Sequence, residues 1–186
     1  MGQWPMRVIA GSAKGRRLQG PDTSNTRPLT DRAKEALFSA LGERVAGARV
    51  LDLYAGSGAI GIEALSRGAA QAVFVENGRK ALDALRHNLT TVGFTNGIVV
   101  GQSVEAYVAS ALGVFDLVFC DPPWAMATND VERVMEAVDR ISGPGAEFIV
   151  QRRAPDREPA PPPGWRHVTT RRYGDGKICR YVKEPV

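Results

Sequence analysis

Short apolar runs alternate with amphipathic segments along most of this chain. Five apolar runs predict buried strands. Each of the first four runs is followed by a segment that repeats apolar residues every three or four positions, which predicts a helix. The predicted strands are residues 49–53, 72–76, 98–100, 115–120 and 147–151. The predicted helices are residues 59–66, 79–92, 104–111 and 129–141. This alternation indicates right-handed crossovers and a mostly parallel sheet with helices on both faces.

The two ends of the chain depart from this pattern. Residues 7–10 and 16–18 predict a small hairpin, and an amphipathic helix capped by Thr30 or Asp31 follows a polar loop. Near the other end, a proline-rich linker precedes two further predicted strands, 165–173 and 178–182. We therefore expect a β-hairpin extension over residues 1–27 and one α/β domain over 28–186.

Composition adds limits to this picture. The 186 residues are 44% hydrophobic and 24% charged, as in ordinary globular domains. We find no apolar run long enough to span a membrane and no secretory signal in residues 1–10, which predicts a cytoplasmic protein. The two cysteines, Cys120 and Cys179, and the two histidines lack metal-ligand spacing. We expect buried free thiols and no metal.

Charge is distributed unevenly along the chain. Residues 1–27 carry five basic groups and one acid, and residues 151–186 carry nine basic groups and four acids. The middle of the chain is mildly acidic. Basic ends on an acidic body favour contact with a polyanion such as RNA. The candidate RNA-binding residues are Arg7, Lys14, Arg16, Arg17, Arg27 and Arg32.

A glycine-rich loop follows the first predicted strand. Its sequence, Gly56 to Gly61, matches G-x-G-x-x-G, and Glu76 lies 20 residues beyond Gly56, so the motif alone would fit a dinucleotide. However, Asp52 stands at the strand end, where a carboxylate would repel a pyrophosphate. The same carboxylate suits the ammonium of S-adenosylmethionine, and Glu76 suits the hydroxyls of its ribose. We therefore predict S-adenosylmethionine as the cofactor.

Further cofactor contacts are expected from the neighbouring loops. Tyr54 and Ala55 lie between Asp52 and the glycines. Ser103 and Val104 follow the third strand, where a backbone N–H and an apolar side chain could meet adenine. These two residues fit equally well as a helix cap and a core residue.

The second motif is Asp121-Pro122-Pro123-Trp124, directly after the fourth strand. An exocyclic base amine is a poor nucleophile because its lone pair is delocalised into the ring. Asp121 and the carbonyl of Pro122 could accept its two N–H groups and turn the lone pair toward a methyl donor. The ring of Trp124 could stack on the base. Catalysis would then be mainly orientation and electrostatics.

Both motifs resemble those of the class I amino-methyltransferases. Residues 7–11, 26–28, 32–38 and 173–175 are similar to a narrower family, the bacterial 16S ribosomal RNA guanine-N2 methyltransferases that modify the loop of helix 31. The resemblance implies a seven-stranded Rossmann-like sheet whose last strand is antiparallel. It also implies a guanine amine as the methyl acceptor, in an assembled or partly assembled small subunit. Separately, we expect the protein to act as a monomer.

Two alternatives remain open. Where this chain has Trp124, the family more often has tyrosine, and tryptophan also occurs there among adenine-N6 methyltransferases, so methylation of adenine in DNA or RNA is one alternative. The other is a nonenzymatic RNA-binding assembly factor with a vestigial cofactor pocket.

Overall fold

The computed structural model describes residues 6–20 and 29–185. A seven-stranded sheet forms its centre, in the order β5-β4-β3-β6-β7-β9-β8, with a separate two-stranded hairpin. The strands are β1 (Met6–Arg7), β2 (Arg17–Leu18), β3 (Arg49–Leu53), β4 (Gln71–Val75), β5 (Gly97–Val100), β6 (Phe115–Cys120), β7 (Ser142–Arg153), β8 (Trp165–Tyr173) and β9 (Gly176–Lys183). The helices are α1 (Asp31–Leu41), α2 (Ala59–Ser66), α3 (Arg79–Val92), α4 (Val104–Ser110) and α5 (Thr128–Asp139), and a 3-10 turn covers Gly42–Val45.

Five neighbouring strands are parallel to one another, in the order β5, β4, β3, β6 and β7. Strand β9 runs antiparallel to both β7 and β8. The predicted mixed sheet with an antiparallel last strand is thus confirmed. All four parallel pairs bring their carboxyl ends to one edge of the sheet. In open α/β sheets ligands bind at this edge.

Each face of the sheet is covered by helices. Helices α1, α2 and α3 pack on one face, over side chains such as Phe74 and Phe119. Helices α4 and α5 pack on the other, over Leu53 and Phe148. Because both faces are buried, the parallel strands read as continuous apolar runs, which is why their positions could be predicted.

The N-terminal hairpin packs against the α/β domain. Its side chains Met6, Val8, Ala13 and Leu18 belong to the same core as α1 to α3. The buried carboxylate of Glu63 accepts the N–H groups of Ile9 (2.8 Å) and Ala10 (3.0 Å) and pairs with Lys34 and Arg67. The hairpin is therefore held on the domain by buried polar bonds. The division into residues 1–27 and 28–186 stays a prediction, since residues 21–28 lie outside the described part.

The hairpin turn lies at the far end of α2 from the ligand-binding edge. Ser66, the last residue of α2, donates its hydroxyl to the carbonyl of Ala10 (2.6 Å) and accepts the N–H of Ala13 (2.9 Å). Eight helical residues rise about 12 Å. The paired residues Arg7 and Arg17 stand nearer the ligand-binding edge, since Arg7 also pairs with Asp31 at the start of α1.

Strand β7 extends further than the pattern predicts. The apolar run ends at Val150, yet the strand continues to Arg153 because β9 pairs with it as far as Gly176. This pairing buries Gln151 (8% exposed) and Arg152 (2%). Polar residues thus occupy the end of a central strand, next to the predicted catalytic loop.

Candidate active site

The two predicted motifs start side by side. Leu53 ends β3 and Cys120 ends β6, and these residues pair in the parallel ladder. The N–H of Asp121 donates to the carbonyl of Leu53 at 3.3 Å. The glycine loop and the Asp-Pro-Pro-Trp loop therefore leave the sheet from adjacent strands.

Glycines give the first loop its shape. Gly56 and Gly58 have φ values of 57° and 81°, in the left-handed region that glycine adopts without strain. A Cβ on Gly58 would lie 2.3 Å from Leu85 Cδ1, and one on Gly61 would lie 2.2 Å from Phe74 Cε1. The glycines allow a tight turn and close packing of α2 against the sheet, which opens the loop backbone toward the ligand-binding edge.

The carboxylate of Glu76 organises this loop. One oxygen accepts the N–H of Gly56 at 2.8 Å, and the other accepts those of Asn77 (3.0 Å) and Gly78 (2.7 Å). A carboxylate offers about four lone-pair positions, so three of them are in use. To accept both hydroxyls of a ribose, Glu76 would share or release one of these N–H groups. Its role as the ribose acceptor stays a prediction that the geometry allows.

Asp52 lies deeper than the sequence suggests. It is 1% exposed, and its carboxylate accepts the N–H of Gly61 in α2 at 3.0 Å. Burial raises the pKa of this carboxyl group well above its ordinary value, although the hydrogen bond from Gly61 opposes the shift. Asp52 therefore anchors the glycine loop to β3. Its ion pair with a cofactor ammonium stays a prediction.

Tyr54 links the cofactor side of the site to the catalytic loop. Its backbone has a φ of 58°, rare for a residue other than glycine. Its hydroxyl contacts Glu105 (3.2 Å) and the sulfur of Met126 (3.7 Å). Burial is the main reason the pKa of Tyr54 is raised, so the phenol stays neutral at physiological pH. Ala55, the next residue, is half-buried.

Ser103 and Val104 act as the cap and the first residue of α4. The Ser103 hydroxyl accepts the N–H of Ala106 at 3.2 Å, and Val104 is 3% exposed. Ser103 thus caps a helix and Val104 packs in the core, which is one of the two interpretations that the sequence left open. A contact with adenine remains a prediction.

The Asp-Pro-Pro-Trp loop is fixed at both ends. After Asp121, Met126 donates its N–H to the carbonyl of Pro123 (2.9 Å), and Arg152 donates to the carbonyl of Met126 (2.6 Å). Pro122 is buried and Trp124 is half-buried. Burial raises the pKa of Asp121 to about 7. The loop therefore fixes the carboxyl group of Asp121, whose pKa lies close to neutral pH.

A narrow cleft opens beside Asp121. Its walls are mostly apolar, and they join β6, β7 and β9 to α1, α2 and the residues before α1: Leu29, Leu37, Ile60, Phe119, Cys120, Asp121, Ile149, Gln151 and Ile178. Ile60 lies two residues beyond Gly58, so the cleft adjoins the glycine loop. The cleft therefore surrounds Asp121 mostly with apolar side chains.

Five of the predicted RNA-binding residues lie on the hairpin or at the start of α1. Lys14, Arg16, Arg17 and Arg32 are exposed, and within the described residues none of them forms an ion pair. Arg7 is different, since its guanidinium pairs with Asp31 at 2.8 Å. Arg27 lies outside the described residues. RNA contact by this set stays a prediction.

Sequence reasoning missed three polar residues of the site. Gln151 ends the predicted strand 147–151 and Arg152 lies just beyond it, and neither residue belongs to a motif that the sequence showed. Asn88, on the inner face of α3, is 1% exposed. Its amide bridges both backbone groups of Gln19 (2.7 and 2.9 Å) to the carbonyl of Ser57 (2.9 Å), and so joins the hairpin to the glycine loop. A polar residue on an otherwise apolar helix face was the available signal.

Sheet order, strand directions and the two adjacent loops together define a class I methyltransferase fold. Solved structures agree with this. The chain is similar to "putative methyltransferase yhhF" from Escherichia coli, with 31% identity, a TM-score of 0.87, and coverage of 97% of this chain and 99% of the other. A hypothetical protein of Thermus thermophilus gives 30% identity, a TM-score of 0.81, and coverage of 94% and 97%.

The chain belongs to the family described as "conserved hypothetical protein 95", which it matches over residues 6–182. It is also similar to "Ribosomal RNA small subunit methyltransferase D" of Escherichia coli, with 41% identity over 123 residues. That match covers 66% of this chain and 62% of the relative, so it spans less than two thirds of the relative's length. The resemblance found in the sequence is confirmed.

Within residues 6–20 and 29–185, no helix is both long enough and apolar enough to cross a membrane.

Proposed function

We propose that this protein transfers a methyl group from S-adenosylmethionine to the exocyclic N2 amine of a guanine in small-subunit ribosomal RNA. The main support for the proposal is the hydrogen bond that the N–H of Asp121 donates to the carbonyl of Leu53. It joins the starts of the predicted cofactor loop and the predicted catalytic loop, which follow adjacent strands. The name of the Escherichia coli relative supports the RNA class.

The residues present fit S-adenosylmethionine. Gly56 and Gly58 let the loop turn tightly without side chains of its own at these positions, and Glu76 keeps acceptor capacity beside it. Tyr54, Ala55 and Gly56 would line the cofactor together with these residues, and Ser103 and Val104 would flank its adenine. The cofactor supplies an electrophilic methyl group on a sulfonium.

The chain's own residues then orient the acceptor. Asp121 and the Pro122 carbonyl would accept the two N–H groups of the amine, and Trp124 would stack on the base. Proline fixes φ and so holds the carbonyl in place. The ionised form of Asp121 is the stronger acceptor for these N–H groups, and it carries no competing O–H donor. With its pKa near 7, the reaction should accelerate as pH rises through neutrality.

The exposed basic residues would hold the RNA phosphates. Arg17 and Arg32 stand near the ligand-binding edge, whereas Lys14 lies at the far end of α2, about 12 Å away. RNA gripped by all of them would extend along the hairpin. A footprint of this kind suits a folded RNA in an assembled or partly assembled subunit. We infer that one copy of the chain suffices, and that it acts in the cytoplasm.

The test is methyl transfer from labelled cofactor to small subunits taken from a strain that lacks the enzyme. Nucleoside analysis of the RNA should show N2-methylguanine, and Asp121→Ala should remove the label. Appearance of N6-methyladenine would contradict the guanine assignment. RNA binding with no methylation would indicate an assembly factor.

A further inference from the structure

Gln151 stands next to Asp121 in the sheet. Cys120 pairs with Val150, so the residues that follow, Asp121 and Gln151, come level at the ends of adjacent strands. Neighbouring parallel strands lie about 4.8 Å apart. Both side chains line the same apolar cleft, on the face covered by α1 and α2.

The amide of Gln151 is buried with an acceptor left over. The residue is 8% exposed, and its Oε1 has no hydrogen-bond partner among the described residues. Such groups are rare in folded proteins because burying an unpaired polar atom costs free energy. An acceptor kept in this state beside a predicted catalytic carboxylate points to a donor that arrives with the substrate.

Guanine carries a donor in the matching position. The ring atom next to its N2 amine is N1, which bears a hydrogen. In adenine, the ring atom next to the N6 amine is an N1 that bears none, so it would oppose one acceptor with another. With its Oε1 turned toward the base, the amide of Gln151 would therefore favour guanine over adenine.

We propose that Gln151 is a specificity-determining residue, whose Oε1 accepts the N1–H of the guanine while Asp121 holds the N2 amine. This inference rests on the proposed function and deepens it, since it identifies the residue that selects guanine over adenine. The leftover acceptor of the cleft gains its partner only when the correct base is bound.

The experiment compares two bases at the target position of 16S RNA assembled into small subunits. One is guanine, and the other is 2-aminopurine, which keeps the amine but has no hydrogen on N1. We expect the wild-type protein to prefer guanine in kcat/KM by about ten- to hundredfold. Gln151→Met should lower this preference to less than about threefold, mainly by slowing methylation of guanine.

Two further variants make the result interpretable. Gln151→Asn keeps the amide but places it one methylene further from the base, so its preference for guanine should lie between those of wild type and Gln151→Met. Gln71→Met is the matched control, because Gln71 starts β4 at the opposite edge of the sheet, and it should behave as wild type. Melting curves verify folding, and we expect Gln151→Met to be at least as stable as wild type.

Each result of this experiment either supports or contradicts the role of Gln151. If the wild-type protein methylates guanine and Gln151→Met discriminates as strongly as wild type, the inference is wrong and the proposed function stands. A preference of the wild-type protein for 2-aminopurine, whose N1 is an acceptor, would mean that the amide acts as a donor, which also overturns it. If the wild-type protein does not methylate guanine at all, the proposed function fails, and the inference fails with it.

Discussion

We expect the buried carboxylate of Asp121 to lower the free energy of unfolding, and Asp121→Asn measures the size of this effect. Burial raises its pKa from 3.8 to about 7. A carboxyl group whose pKa is raised by folding contributes full stability below its unfolded pKa, and that stability is lost as pH rises toward the folded pKa. The wild-type protein therefore bears an increasing electrostatic cost between about pH 4 and pH 7, which the neutral asparagine does not.

The magnitude follows from the two pKa values. They differ by about three pH units, and each unit corresponds to about 1.36 kcal/mol, so the cost approaches about 4 kcal/mol above pH 7. This is an upper bound, because Asp121 is half-buried and solvent screens part of its charge. At pH 4 the difference between the two proteins should fall below about 1 kcal/mol.

The assay is urea unfolding of both proteins at pH 4 and pH 8, with the free energy of unfolding extrapolated to water. Asp121→Asn should be more stable than wild type, and by a larger margin at pH 8. Asp83→Asn, at an exposed position of α3, is the control and should show one small difference at both pH values. A margin for Asp121→Asn that does not change with pH would refute the reasoning.

Three further perturbations test other parts of the site. Glu76→Gln should weaken S-adenosylmethionine binding by about ten- to 150-fold, from the loss of one charge-assisted hydrogen bond at about 1.5–3 kcal/mol; unchanged affinity by calorimetry would place the ribose elsewhere. Changing Lys14, Arg16 and Arg17 together to alanine should weaken RNA binding and reduce the slope of log affinity against log salt by about 0.7–0.9 per lost contact, whereas equal slopes would leave the hairpin as a structural element only. Asn88→Ala should cost at least about 2 kcal/mol of stability, because it strands buried backbone groups of the hairpin and the glycine loop, and it should also weaken cofactor binding; normal cofactor affinity in the folded variant would show that the bridge is not needed by the loop.

The sequence alone determined the elements and the position of the motifs within them. Strand β3 and helices α2 and α3 have the predicted limits, because apolar periodicity is a local property and each of these segments buries a regular face. The glycines of the cofactor loop and the two prolines after Asp121 could likewise be interpreted locally, since both residue types restrict or free the backbone at their own position.

The tertiary structure decided which polar groups are available to contact a ligand. Asp52 and Glu76 both lie at the ends of predicted strands, yet Asp52 accepts the N–H of Gly61 and Glu76 accepts that of Gly56, and these two contacts depend on how the glycine loop and α2 pack. In the sequence, Gln151 is only the polar last residue of the predicted strand 147–151. It becomes part of the site only because the register of β6 and β7 sets it beside Asp121, while β9 covers it. Strand register and helix packing are long-range properties, so no local pattern could reveal these contacts.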